Sequence, residues 1–383
     1  MTRYGIRRTS WLRLAWFALC ILCLPACTSS QSKEEAPVVT TVQDTVPSTL
    51  SLLFVGDLMQ HQSQIDAANR AEGYDYTASF LHVKDEIEKA DIAIGNLECS
   101  LGGKPYAGYP CFGAPDEFLF AIHNAGFDML NTANNHCLDR GSKGGIRTIQ
   151  LLDSLSIPHL GTYPDSATQV REHPLIIEQK GFKLAFVAYT YATNGIKAAP
   201  PFRVNYIEEK RMAEDIARAK AMKPDAIIAL MHWGEEYQSI PSKEQKALAE
   251  KLFAWGATHI IGSHPHVVQP IELRTDSLTS QRNLLVYSLG NYISGMSANK
   301  TDGGMMVRMT LEKKKGETTL KHADYSLVWT LRPAHNPQKD YALIPPSRID
   351  SLQPSAQYLY RRFLKQARSL FEQKNIGISE KSI

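Results

Sequence analysis

The chain has 383 residues, of which 43% are hydrophobic and 21% charged, and this composition is typical of a globular protein rather than a disordered one. Its 42 Lys and Arg against 39 Asp and Glu give a formal charge of +3. Four of those arginines and no acid lie in the first 26 residues, so the rest of the chain carries 38 basic and 39 acidic side chains. A net charge of −1 gives no indication of nucleic-acid binding, and we expect no nucleic-acid partner.

The first 26 residues have the layout of a secretory signal. Arginines precede a short apolar run, and small residues follow it in Leu24-Pro25-Ala26-Cys27. This segment resembles a bacterial lipoprotein signal, which implies cleavage after residue 26, lipid on Cys27 and a place in the cell envelope, anchored in the outer membrane. An uncleaved anchor helix is the alternative, but the apolar run is short for a membrane span.

Residues 27–49 are rich in Thr, Ser, Pro and Val, a composition that predicts a flexible tether. Within it, Ser32-Lys33-Glu34-Glu35 resembles the acidic signal that directs some bacterial lipoproteins to the cell surface. A solvated cluster of charges explains the same four residues equally well. The tether therefore leaves surface exposure open.

Strands and helices alternate from residue 50 onward. The first half predicts strands at 50–55, 91–95, 127–131 and 157–161, with helices at 80–90, 117–125 and 144–156. The second half predicts a hairpin of 175–178 with 183–189, helices at 207–222 and 242–255, and strands at 225–231, before Gly262, and at 284–289, 304–312 and 318–331. Domain boundaries are expected at 50 and 332, with residues 333–383 forming a C-terminal extension that is helical at 356–372.

Three cysteines lie in this domain region. Cys99 and Cys111 flank a Gly- and Pro-rich loop and could form a disulfide in an oxidising envelope. Cys137, beside His136, is expected to be a free thiol or a small buried side chain. Three cysteines do not define a disulfide framework.

Polar residues follow nearly every predicted strand, at the edge where open α/β sheets bind ligands. They are Asp57, Asn96, Glu98, Asn135, His136, Asp139, His232, His264 and His266. Imidazole with carboxylate suits Mn, Fe or Zn, and the share of oxygen ligands argues against a structural zinc site. Four histidines after three strands are hard to explain by packing alone, so the sequence predicts a centre for one or two divalent ions.

The segment Gly262-Ser263-His264-Pro265-His266 is the densest part of this set. Gly262 is expected to allow a sharp turn. Pro265 restricts the residue before it, which predicts an extended His264 and two imidazoles beside one shared point. A surface turn with two solvated histidines is the alternative reading of these residues taken alone.

Six motifs occur in order between residues 50 and 311. They are Gly-Asp-Leu-Met, Asn-Leu-Glu, Asn-Asn-His-x-x-Asp-x-Gly, His-Trp-Gly-x-Glu-Tyr, Gly-Ser-His-Pro-His-Val-Val-Gln-Pro and Ser-Leu-Gly-Asn-Tyr. Together they resemble the CapA family, which is linked to poly-γ-glutamate capsule synthesis and has a calcineurin-like metallophosphatase fold. The resemblance implies an α/β protein of the αββα type, a two-sheet β-sandwich flanked by helices.

The resemblance also implies roles for these residues. Asp57 and His266 would ligate a first metal and Glu98 would bridge, while Asn135, His232 and His264 would ligate a second metal. His136 would be the general acid or contact phosphate, with Asp139 orienting it. Substrate-binding residues would be Asn96, Glu236 and Asn291.

One position departs from the pattern. Metallophosphoesterases place a histidine two residues after the first aspartate, and this chain has Met59 there. A thioether is a poor ligand for hard ions, so the first site would be weak, empty or completed by His61. Two function classes follow: a metal-dependent hydrolase or transferase acting on a capsule or wall polymer, and a non-catalytic subunit of a polymer synthesis or export complex.

Overall fold

The computed structural model describes residues 47–275 and 281–383. The predicted signal, the Cys27 expected to carry lipid and all but the end of the tether lie outside the described residues. The first described strand begins at Ser48, two residues before the expected start of the domain.

The strands are β1 (Ser48–Leu58), β2 (Asn69–Arg70), β3 (Gly73–Tyr74), β4 (Ile92–Leu97), β5 (Met129–Asn131), β6 (His159–Leu160), β7 (Thr162–Tyr163), β8 (Leu175–Gln179), β9 (Phe182–Thr190), β10 (Arg203–Val204), β11 (Ala226–His232), β12 (His259–Ser263), β13 (Ile271–Thr275), β14 (Arg282–Val286), β15 (Asn291–Ile293), β16 (Gly303–Lys314), β17 (Glu317–Leu331), β18 (Ala342–Ile344) and β19 (Ser379–Glu380). The α-helices are α1 (Gln62–Ala68), α2 (Thr77–Phe80), α3 (Lys84–Glu88), α4 (Asp116–Ala125), α5 (Gly141–Ser154), α6 (Ser166–Glu172), α7 (Glu209–Ala221), α8 (Lys243–Trp255) and α9 (Pro354–Lys374). Two 3₁₀ helices span Pro333–His335 and Pro346–Ser351.

Two large sheets account for most of these strands. The first has the order β18-β17-β16-β1-β4-β5-β6, with β15 paired to β1 and β19 to β17. The second has the order β13-β14-β12-β11-β9-β8. In the first sheet β1, β4, β5 and β6 run parallel, and in the second β9, β11, β12 and β14 do.

The alternation of side chains along β1 shows how the layers form. Leu52 and Phe54 belong to the core that also holds the inward residues of the second sheet, whereas Leu53 and Val55 belong to a core shared with α2, α3 and α4. Neighbouring strand residues point to opposite faces, so both faces of this sheet are covered. The outer face of the second sheet packs against α7 and α8. The fold is therefore a two-sheet sandwich flanked by helices, as predicted.

Local signals explain where several elements begin. Ser242 caps α8 and exchanges hydrogen bonds with Gln245 in a capping box. Lys180 and Gly181 have φ values of 49° and 80° and form the turn between β8 and β9. The single helix predicted at 80–90 is wrong: the chain forms α2 and α3, separated by a turn at residues 81–83.

The residues after 333 add to the first sheet and its core. β18 and β19 both pair with β17, and α9 packs Tyr360 against Trp329 with the ring centroids 5.3 Å apart. The hydroxyl of Tyr360 donates to the carbonyl of Ile344 at 2.8 Å. Burying an aromatic side chain of this size contributes roughly 1.5–3 kcal/mol. The C-terminal helix thus closes one side of the sandwich.

The three described cysteines are all free, with Cys99 and Cys137 buried and Cys111 exposed. No disulfide joins Cys99 to Cys111. Among residues 47–275 and 281–383, no helix combines the length and the apolar character that a membrane crossing needs.

Candidate metal centre

Strand register gathers the candidate ligands at one end of the sandwich. In the first sheet Asp57 is aligned with Asn96, and Asn96 in turn with Asn131. In the second sheet His232 is aligned with Ser263, the residue before His264. Because these are parallel strands, their carboxyl ends reach the same edge. The two edges meet where the Nδ2 atom of Asn96 lies 3.3 Å from Nδ1 of His232.

Glu98 lies at the middle of this cluster. Its side chain is fully buried, and neither carboxylate oxygen has a hydrogen-bond partner. It belongs to two groups whose ligand atoms lie within 4.8 Å of one another, one with His264 and His266 and the other with Asp57 and His232. Oxygens left without donors in a buried site are costly, and a cation would offset that cost. Membership of both groups is the placement that a bridging carboxylate needs.

The protonation of the cluster follows from its burial. Desolvation raises the pKa of Glu98 well above its usual value, and the nearby Asp57 carboxylate adds to the effect. Burial lowers the pKa of His232 well below its usual value and that of His264 to about 3. Neutral imidazole is the form that ligates metals. Oδ2 of Asp57 and Nδ1 of His264 are also buried without partners, so the donor set fits a divalent cation.

Two residues predicted to bind substrate contact candidate ligands instead of facing solvent. Nδ2 of Asn96 donates to Oδ1 of Asp57 at 2.7 Å, and Oδ1 of Asn291 lies 3.0 Å from Nδ1 of His266. Both asparagines are buried. The third predicted substrate residue, Glu236, is exposed at the edge of the cluster.

His266 also lies close to the aspartate from the first sheet. Its Nδ1 atom is 3.4 Å from Oδ2 of Asp57, and its Nε2 atom is 3.9 Å from Oε1 of Glu98. Burial alone would lower the pKa of His266, but the nearby carboxylate of Asp57 raises it overall. His232 reaches the same Glu98 oxygen at 3.7 Å, and its Nε2 lies 2.8 Å from Oδ1 of Asn135.

A buried histidine–aspartate pair lies beside these ligands. Nδ1 of His136 is 2.7 Å from Oδ2 of Asp139, and the same oxygen accepts the backbone N–H of Phe112 at 2.7 Å. The Phe112 ring packs edge-on against His136, with the centroids 4.5 Å apart. A carboxylate at Nδ1 fixes the orientation of an imidazole and leaves its Nε2 atom for other partners.

The backbone of the His-Pro-His segment differs from the expectation. His264 has φ = 101° and His266 φ = 59°, so the predicted extended conformation of His264 is wrong. Positive φ is unfavourable for residues with a Cβ and is kept only where surrounding contacts impose it. The ring of Tyr191 packs against that of His264, with the centroids 4.4 Å apart.

The expected turn at Gly262 is also wrong, because this residue lies within β12. A Cβ there would lie 2.1 Å from the carbonyl oxygen of Tyr287 and 2.5 Å from Nε1 of Trp233. Position 262 therefore needs a glycine, because the chain just after β14 packs closely against it.

Met59 points into the apolar core of the first sheet and is 2% exposed. His61 lies nearby, but its Nδ1 atom accepts the backbone N–H of Gly295 at 3.2 Å. Burial lowers the pKa of His61 to about 4. Within the described part of the chain, neither residue belongs to the two ligand groups around Glu98.

Two residues that follow β9 also border the cluster and were not predicted from the sequence. The ring of Tyr191 covers His264, and Asn194 contacts both Asn135 and His136, at 3.2 Å and 3.3 Å. Both side chains are exposed. Both lie just beyond the carboxyl end of a parallel strand, where polar residues are expected to face a ligand.

Comparison with known proteins agrees with the motifs. The profile of the family "Bacterial capsule synthesis protein PGA_cap" matches residues 51–296, and the chain belongs to this family. It is 30% identical over 277 residues to the "Capsule biosynthesis protein CapA" of Bacillus anthracis, covering 68% of this chain and 64% of that protein. It is 27% identical over 300 residues to the "PGA biosynthesis protein CapA" of Bacillus subtilis (strain 168), covering 73% and 72%. The chain thus spans less than two thirds of the length of the first relative.

Among solved structures, the calcineurin-like phosphoesterase YfkN of Bacillus subtilis is similar with a TM-score of 0.44 and 14% identity. The match covers 86% of this chain and 99% of that one.

Proposed function

We propose that the protein acts on an acidic extracellular polymer, poly-γ-glutamate or another capsule polymer, by metal-assisted hydrolysis or transfer at an amide or phosphoryl centre. The observation that carries this proposal is Glu98, whose two buried oxygens lack partners and lie between two sets of candidate ligands. Membership of the capsule synthesis family supports the polymer as the substrate class. A purely structural cluster would not need the His136–Asp139 pair beside it.

Asp57, Glu98, His232, His264 and His266 would hold the cation, with Asn135 beside them. When bound, a Mn, Fe or Zn ion supplies a Lewis acid and lowers the pKa of water. His136 holds or delivers a proton at Nε2, because its Nδ1 is engaged by Asp139. Asp139 keeps the ring in place through that bond.

The second candidate function is a non-catalytic subunit of a polymer synthesis or export complex. It is favoured by Met59, which packs into the core and supplies no ligand at the position where metallophosphoesterases have a histidine. In that case the ligand cluster would serve binding or stability alone.

The experiment compares two variants of the protein, His136→Ala and His264→Ala, in the same enzyme assay. Generic phosphodiesters and γ-glutamyl amides are screened with Mn, Zn, Fe or Mg, and bound metal is measured in parallel. His136→Ala should lower turnover by about a hundredfold or more with metal content near wild type, the range for loss of a general acid or base. His264→Ala should lower both turnover and metal content.

Two results would count against these assignments. If His136→Ala loses metal as fully as His264→Ala, His136 is a ligand rather than the acid. If the wild type turns over no substrate with any of the four ions, the non-catalytic function is the better account.

The anchor is a separate part of the proposal. A lipid on Cys27, which lies outside the described residues, would hold the domain at the outer membrane, near capsule synthesis or export proteins. Cys27→Ala should abolish lipid labelling and release the protein from the membrane fraction. Unchanged labelling and fractionation would refute the anchor and leave the proposed chemistry untouched.

A further inference from the structure

Arg140 follows the His136–Asp139 pair directly and precedes α5. A Cβ added to Gly102 would lie 2.6 Å from the Cβ of Arg140, and one added to Gly144 would lie 2.3 Å from it. Real Cβ atoms essentially never approach so closely. Because Gly102 and Gly144 have no side chains, the Cβ and Cγ atoms of Arg140 can pack between them.

The guanidinium group of Arg140 lies against a third glycine, Gly113. A Cβ on Gly113 would lie 2.5 Å from Nε and 2.8 Å from Cζ of Arg140. Gly113 follows Phe112, which contacts both members of the histidine–aspartate pair. The guanidinium therefore lies against Gly113, the residue after the phenylalanine that packs on His136.

The charge of Arg140 has no partner in the part of the chain that the structure describes. Arg147, further along α5, donates from Nη1 and Nη2 to the two carboxylate oxygens of Asp116, both at 2.7 Å. Arg140 is only half-buried and makes no comparable hydrogen bond or ion pair with a described residue. A guanidinium carries five N–H donors in a planar fork that matches a carboxylate.

The geometry points to Arg140 as the residue that binds a carboxylate of the acidic substrate beside the reaction centre. This inference rests on the proposed function and names the contact that would distinguish an acidic polymer from a neutral one. A polymer of γ-linked glutamate offers one free carboxylate per residue. Bidentate pairing would hold that carboxylate in a fixed orientation next to His136.

The test measures binding of two probes to the full chain in the presence of Mn²⁺. One probe is a γ-linked glutamate pentamer, and the other is the same pentamer with its carboxylates methyl-esterified. Arg140→Ala should weaken binding of the acidic pentamer by roughly ten- to a hundredfold, the range for a lost charge-assisted hydrogen bond, and leave the ester unaffected. Arg140→Lys should retain part of the affinity, because it keeps the charge and loses the fork.

Two further variants separate this contact from general effects. Gly113→Ala keeps the arginine but displaces its guanidinium, so it should also weaken binding of the acidic pentamer only. Arg211→Ala, on α7, removes an arginine from the outer side of the second sheet and should bind both probes like wild type. Melting temperature and bound metal, measured for every variant, identify any that fails to fold.

The following results would overturn the role proposed for Arg140. Wild-type affinity in Arg140→Ala, or an equal loss for both pentamers, overturns the role of Arg140. In both of these cases the proposed function still stands, because the wild type binds the acidic pentamer. If the wild type binds neither pentamer, or binds only the ester, poly-γ-glutamate is not the substrate, and the inference fails with it.

Discussion

The side-chain amide of Asn96 donates to Oδ1 of Asp57 at 2.7 Å, and the same nitrogen lies 3.3 Å from Nδ1 of His232. One side chain thus connects candidate ligands from the two sheets. Its own oxygen accepts from Nδ2 of Asn131 at 3.0 Å, which fixes the orientation of the amide. Asn96 is therefore a residue that positions ligands.

Asn96→Ala should lower the affinity for Mn²⁺ about ten- to a hundredfold, the usual effect of removing a hydrogen-bond partner of a metal ligand. Equilibrium dialysis or calorimetry measures it. Asn124→Ala removes an exposed amide on α4 and is the matched control. Unchanged affinity in Asn96→Ala would show that Asp57 and His232 do not depend on this contact.

Gly262→Ala should destabilise the fold severely, by more than about 3 kcal/mol, because the new methyl group would meet the Tyr287 carbonyl oxygen. Gly181→Ala provides the control, since a Cβ there meets nothing within 4 Å and the cost is limited to a positive φ of 80°, about 1 kcal/mol. Denaturant unfolding compares the two. Equal losses would contradict the close-packing role of Gly262.

His259 predicts a dependence of stability on pH. Burial lowers its pKa to about 4, and its Nδ1 atom accepts the backbone N–H of Leu284 at 3.1 Å. The unfolded chain binds a proton near pH 6.5 and the folded chain only near pH 4, so this contribution is complete above pH 6.5 and is lost as the pH falls towards 4.

His259→Asn keeps an acceptor near the Leu284 N–H and removes the titration. The free energy of unfolding should then fall less steeply between pH 6.5 and pH 4, although the other buried histidines still contribute. His123→Asn, an exposed change on α4, should keep the wild-type slope. An unaltered slope in His259→Asn would mean that His259 does not stay neutral in the folded chain.

The positions of the main strands along the chain, and the polar residues at their ends, can be predicted from the sequence because they depend on local patterns. Apolar runs predict buried strands, and parallel strands place their carboxyl ends at one edge. The sequence alone therefore predicts that Asp57, Glu98, His232 and His264 lie close together.

Other features depend on partners that are distant in sequence. The role of Gly262 is set by the carbonyl of Tyr287, and nothing in the local sequence predicts the positive φ values of His264 and His266. The hydrogen bonds of Asn96 depend on neighbouring strands that are far away in the sequence. Local rules carry no information about such contacts, so these assignments needed the folded structure.

The measurement that tests the account most directly is the metal content of Glu98→Gln. This change keeps the shape of the side chain and replaces the carboxyl group that both ligand groups share. Wild type should bind at least one divalent ion per chain, and its melting temperature should rise with added Mn²⁺. Glu98→Gln should bind far less metal and show no such rise, while its metal-free form remains at least as stable as wild type. Wild-type metal content and an equal rise in Glu98→Gln would contradict a metal centre built on Glu98.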